Sequence, residues 1–129
     1  MLSRHTPVPT LPAKDLSAAR GFYEGTLGLP ASREDMEGGV TYLCGGGQLF
    51  VYESTFAGTN QATAVSFDVP NTEFDDEVAE LRGKGIEFVT FAADGLEWND
   101  GVATIGGRAR SVWFTDPDGN ILNISTDEL

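Results

Sequence analysis

The chain has 129 residues, 40% of them hydrophobic, which suffices for one domain with a sizeable core. Twenty acidic residues against eight basic ones give a formal charge of −12, which repels phosphate backbones and anionic lipid and sets aside nucleic acid and membrane as partners. One cysteine, Cys44, excludes an internal disulfide and a zinc site of several thiolates.

The first predicted element is a strand beginning at Val8 and ending before Asp15, whose carboxylate suits a helix N-cap. Leu16, Ala19, Phe22, Tyr23 and Leu27 then recur at helical spacing, and Gly28 is the stop. Three strands follow at about 30–35, 39–44 and 48–54, the last two joined by Gly45-Gly46-Gly47. Cys44, in the apolar run VTYLC, reads as a small buried hydrophobe. Residues 55–62 read as a linker. The opening pattern then returns 56 positions after Val8, with a strand from Ala64 and a cap at Asn71. Phe74, Val78 and Leu81 mark the second helix, Gly83 and Gly85 end it, and Glu80 and Lys84 pair at i,i+4. Three more strands are predicted at about 86–91, 108–115 and 120–126, the last two joined by Asp116-Pro117-Asp118-Gly119. Between them, 92–107 is a Gly-rich insertion with no counterpart in the first half, expected to be a long loop or hairpin.

The chain therefore reads as one α+β domain over 1–129. Module one covers about 6–54 and module two about 63–127, each a βαβββ unit. Neither GxGxxG nor GxxxxGK[ST] occurs. No apolar stretch approaches the roughly 20 residues of a membrane span, and no signal pattern opens the chain, so a cytoplasmic protein is expected.

Three stretches carry a resemblance over nearly the whole chain: LPAKDLSAARGFYEGTLGL, VSFDVPNTEFDDEVAELRGKGIEF and VWFTDPDGNILNIS. They resemble the vicinal oxygen chelate superfamily, which includes glyoxalase I, extradiol dioxygenases, fosfomycin-resistance proteins and bleomycin-binding proteins. The resemblance implies a glyoxalase/bleomycin-resistance fold, in which two βαβββ modules curl as a half-barrel around a cleft, and a homodimer. It does not by itself imply one reaction.

Metal-dependent members of that family place His, Gln or Glu at four cleft positions. Carried over, these are Val8, Val51, Ala64 and Asn123, where the family has Glu at the last. Three have no lone pair to offer, and one neutral amide does not offset the dehydration of a divalent ion. His5, the only histidine, lies near a chain end. Glu53 and Asp68 have the strand parity of the ligand positions but sit near strand ends. No metal and no cofactor are therefore expected. No nucleophile with an adjacent base is visible, and catalytic residues are none.

The expected site is an apolar cleft lined by Val8, Val51 and Ala64, with the amide of Asn123 as its hydrogen-bonding group. Trp113 is expected as a wall and Trp98, in the insertion, as a lid. Phe22, Tyr23, Phe50 and Phe67 are expected in the core, and alternation sends Phe50 and Tyr52 to the face opposite Val51. The expectation is a metal-independent small-molecule binding protein that sequesters a cationic or aromatic antibiotic or metabolite. The competing expectation is a family enzyme, a lyase, isomerase or dioxygenase-like protein, working with non-standard ligands or no metal.

Overall fold

Strand parity and turn chemistry decide most of this architecture. The computed structural model describes residues 1–35 and 38–126, and Asp127, the expected end of module two, lies outside them. The chain forms two units: Met1–Ala64 joined by Asp116–Asn120, and Val65–Thr115 joined by residues 121–126.

In the first unit, strands β1 (Thr10–Ala13), β2 (Ala31–Asp35), β3 (Gly39–Cys44) and β4 (Gly47–Glu53) form a sheet ordered β1-β4-β3-β2. β1 runs parallel to β4, and the other pairs are antiparallel. Leu11 lies opposite Val51, Val51 opposite Val40, and Leu49 opposite Tyr42, so these five share one face, and all are buried. Burying an aliphatic side chain of this size contributes about 1.5–3 kcal/mol. The helical segment covers that face. Asp15 accepts hydrogen bonds from Ser17 N and Ala18 N at 2.9 and 3.3 Å, starting α1 (Leu16–Arg20) as expected. The helix widens into a π-helical stretch, Gly21–Thr26, and ends at Gly28 with φ +71°. Tyr23 stacks on Tyr42 at 5.8 Å and meets Phe22 edge-on at 5.1 Å.

The opposite face of the same sheet carries Phe50 and Tyr52, stacked at 6.0 Å, as alternation requires. Phe50, expected in the core, is only half-buried. Its ring lies over Gly39, where a Cβ would come within 2.5 Å of the ring, so glycine is needed for a close approach rather than for a turn. Cys44 is half-buried rather than buried, and burial pushes its thiol pKa up.

The DPDGN turn belongs to the first unit although it links two strands of the second. Asp116 explains why. Its carboxylate accepts from Tyr23 Oη at 2.8 Å and from Asp118 N, Asn120 N and Asn120 Nδ2 at 2.9 Å each. Asn120 also donates to Pro12 O, and Asp118 accepts from Lys14 N, both at 2.9 Å.

In the second unit, β5 (Thr63–Val69), β6 (Leu96–Asn99), β7 (Val102–Ile105), β8 (Ala109–Thr115) and β9 (Ile121–Thr126) are ordered β5-β9-β8-β7-β6. Helix α2 (Asn71–Gly83) buries Phe74, Val78 and Leu81. Arg110 on β8 ties it down: its guanidinium lies 4.6 Å over the Phe74 ring and donates to Asp75 at 2.7 Å. Val112 and Phe114, of Arg110's parity, are therefore on the helix side, and both are buried. The predicted Glu80–Lys84 pair forms at 3.8 Å.

Three expectations are corrected here. Asn71 is not the cap, because Pro70 holds that place and Asn71 is the first helical residue, its Oδ1 accepting from Arg110. The predicted strand at 86–91 is only one bridge, Val89 to Trp113. The 92–107 insertion, expected as a long loop or hairpin, is a hairpin, β6–β7, which adds two strands to the sheet. Its turn is Asp100-Gly101, with φ of +51° and +79°, the backbone that a right-twisted two-residue hairpin demands. Phe67 is half-buried rather than a full core residue.

Candidate functional site

The face of the second sheet turned away from α2 gathers the side chains best able to meet a small molecule. Register assembles it. Trp113 pairs with Asn123 and Ser111 with Ser125, while Ala103 pairs with both Ser111 and Trp98. These residues alternate with the helix-facing set and so share the face turned away from α2, where Ala103, Ser111 and Asn123 are buried and Trp113, Trp98 and Ser125 are half-buried.

Asn123 is the centre of a polar network and is 4% exposed. Its Nδ2 donates to Ser111 Oγ at 2.5 Å and to Val112 O at 3.0 Å. Its Oδ1 accepts from Ser66 Oγ and Ser125 Oγ, each at 2.9 Å. The bond to Val112 O fixes the amide's orientation, because a carbonyl only accepts. Ser111 Oγ also meets Ser125 Oγ at 2.6 Å, where either hydroxyl can donate, and lies 3.3 Å from its other acceptor, Ile124 O. Both protons and both lone pairs of the amide are spent.

Beside this network lie three rings. Phe91 meets Trp113 at 4.9 Å and 77°, and Trp98 at 5.3 Å and 76°. The two indoles are 5.9 Å apart at 55°. Aromatic pairs in such edge-to-face geometry contribute about 0.5–1.5 kcal/mol each beyond burial. Both indoles are half-buried, and Phe91 is 44% exposed.

The charge of this face is one-sided. The five strands of the unit carry one cation, Arg110, and it points to α2. Asp68 has the parity of Ser66, the network's β5 member, and is exposed. Among the strand residues of this unit, none on this face would neutralise an anion.

The remaining sequence candidates are placed as follows. Val8 precedes β1 and is 40% exposed, and Ala64 on β5 is half-buried. Val51 is 1% exposed and lies in the core beneath the first helix; by register the uncovered face at that point belongs to Phe50. Trp98 stands on a strand of the hairpin. Glu53 lines a surface depression with Lys14, Ser54 and Thr55. Among the described residues, no three His, Cys, Asp or Glu side chains converge.

A divalent ion therefore does not fit the carried-over positions. Val8, Val51 and Ala64 have no donor atom, and the amide of Asn123 is fully occupied by its neighbours.

Ser66, Ser111, Ser125 and Phe91 were not singled out from the sequence. Ser125 and Ser66 were legible by parity, two residues from Asn123 and from Ala64. Ser111 required the β8–β9 register, and Phe91 required the Val89–Trp113 bridge.

The model of the Glyoxalase/Bleomycin resistance protein/Dioxygenase superfamily matches residues 5–124. Among solved structures, the chain is similar to the fosfomycin resistance protein FosX from Listeria monocytogenes, with a TM-score of 0.73 at 17% identity over 97% of this chain and 94% of that one. It is also similar to lactoylglutathione lyase from Agrobacterium tumefaciens (TM-score 0.71, 18% identity, 95% and 93% covered). A third is a glyoxalase/bleomycin resistance protein/dioxygenase from Alicyclobacillus acidocaldarius (TM-score 0.72, 19% identity, 95% and 90% covered). At these identities the likeness shows the fold. No curated protein sequence matches this one.

Proposed function

The chain belongs to the Glyoxalase/Bleomycin resistance protein/Dioxygenase superfamily, and from that premise we propose that it is a metal-independent binding protein for a flat aromatic small molecule, neutral or cationic. In this reading it sequesters an antibiotic or a metabolite and performs no chemistry on it.

One observation carries the proposal: two partly exposed indoles stand beside a polar network that is saturated from within, on a face without a cation. Rings offer stacking and cation–π attraction. A saturated amide neither holds a metal nor activates a substrate. The net charge of −12 raises the local concentration of cations and lowers that of anions. Trp98 and Trp113 are the binding residues, and Asn123 shapes the floor next to Trp113. No helix among the described residues is long and apolar enough to cross a membrane. A homodimer is part of the same reading, on the family resemblance, and sedimentation analysis measures it.

The test has two parts. Elemental analysis of protein purified without chelator, before and after adding zinc, nickel, manganese and iron(II), is expected to find no stoichiometric metal. Calorimetry is then run with three isosteres: N-methylquinolinium, 1-methylnaphthalene and quinoline-2-carboxylate. The cation is expected to bind best and the anion not at all. A ligand at 100 times its dissociation constant adds about 2.7 kcal/mol to stability. About one metal per chain, or preference for the anion, overturns the proposal.

A further inference from the structure

We infer that Phe91 is an internal occupant of the ligand's place, a ring that a planar ligand must displace, and thereby a residue that sets affinity and selectivity. This rests on the aromatic reading of the site proposed above.

The three rings are not equivalent. Trp98 and Trp113 stand on strands, in ladder pairs with Ala103 and Asn123. Strand pairing holds the backbone of both in place. Phe91 stands on residues 90–95, which have no strand pairing. That stretch is anchored on both sides: Val89 N donates to Trp113 O at 2.8 Å, and β6 begins at Leu96. Gly95, with φ +85°, lies next to the second anchor. Two rings are fixed by the sheet, and the third is on a short tether.

The geometry of Phe91 is that of a bound aromatic molecule. It presents itself nearly perpendicular to both indoles, at 77° and 76°, with centroids 4.9 and 5.3 Å away. At those separations the rings are in contact and no further ring fits between them. Yet Phe91 is 44% exposed, so it is held by the indoles on one side and by water on the other. A core residue would be enclosed. A wall of an open site would leave a ring-sized space toward the indoles, and Phe91 fills it instead.

The consequence is a sign. A residue that lines a site weakens binding when truncated, whereas a residue that competes for the site strengthens it. Binding of N-methylquinolinium is measured by calorimetry and stopped-flow tryptophan fluorescence in the wild type, Phe91→Ala, Phe91→Leu and Trp113→Ala. Phe91→Ala is expected to tighten binding by about five- to a hundredfold, the equivalent of the two ring contacts that displacement costs. Phe91→Leu, which keeps apolar bulk but loses the ring, is expected to fall between. Trp113→Ala is expected to weaken binding. In the wild type the observed rate should level off as the probe concentration rises, because Phe91 must leave first, and in Phe91→Ala it should stay linear. If Phe91→Ala weakens binding as Trp113→Ala does, Phe91 is a wall contact and this inference falls, while the binding function stands. If neither the wild type nor Phe91→Ala binds the probe, both fall.

Discussion

Asp116 and Asn123 lie seven residues apart. Each is nearly buried, at 5% and 4% exposure, and each is satisfied by four hydrogen bonds. They nevertheless do different work. Asp116 only accepts, and its donors come from a helical segment and from its own turn. It fastens that turn to the first unit. Asn123 donates twice and accepts twice, and all four partners belong to one sheet. It seals a polar floor within the second unit. An acceptor-only group with converging donors is a structural knot, because removing it orphans every donor at once. A neutral amide among hydroxyls is easier to replace, since serines rotate to new partners. The turn motif is therefore expected to govern folding, and Asn123 to govern the site.

The largest test of this contrast is Asp116→Ala. Four donors lose their acceptor, and a stability loss of about 3–5 kcal/mol is expected in urea unfolding. A loss under about 1 kcal/mol would erase the distinction between the two networks. Asn123→Ala is expected to cost less, about 1–3 kcal/mol, because Ser66 and Ser125 are partly solvent-exposed and can turn to water. A larger loss than for Asp116→Ala would invert the comparison.

Tyr23→Phe separates the hydroxyl from the ring, and about 1–1.5 kcal/mol is expected from losing the bond to Asp116. It also has a pH signature. Burial first, and then the Asp116 carboxylate, push the Tyr23 pKa far above its ordinary value of 10.0. Above pH 10 the unfolded chain releases this proton and the folded one keeps it, so stability falls as pH rises, by about 1.4 kcal/mol per unit. Below pH 10 this contribution is fully present. Alkaline unfolding of Tyr23→Phe should lack that slope.

The smallest effect is expected at Glu24. Its carboxylate accepts from Arg20 Nε at 2.8 Å and from Tyr42 Oη at 2.9 Å, and these bonds, Arg20 first, hold its pKa below the usual 4.5. The stability it lends is present above that value and lost as pH falls through the lowered one. The side chain is 35% exposed, so screening limits Glu24→Gln to less than about 1 kcal/mol at neutral pH. Acid titration of both proteins by circular dichroism measures the difference.

Both helices, the Asp15 cap, the Gly28 stop and seven of the nine strands were legible from periodicity and turn residues. These are local effects. Capping, left-handed glycine and period-two alternation act over a few residues, and no distant partner overrides them here. The β6–β7 hairpin was half legible. Asp100-Gly101 is a strong turn signal, but its flanks, Leu96–Asn99 and Val102–Ile105, are too short to declare themselves as strands. Residues 86–91 were misread because Val89 finds a single partner, and an apolar run becomes a strand only where a neighbour completes its ladder.

For the site, residue type alone shows that Val8, Val51 and Ala64 offer no donor atom, and the sequence pointed to Trp113 and Trp98, whose rings lie 5.9 Å apart in the fold. Residue type is written in the chain, and so is that part of the chemistry. What became of Asn123 was not written there. An amide is a ligand or a sealed structural group according to whether Ser66, Ser111 and Ser125 reach it, and that depends on register between strands as much as 57 residues apart. Only the folded sheet decided that the amide is spent, that Val51 points into the core, and that Phe91 rests between the two indoles.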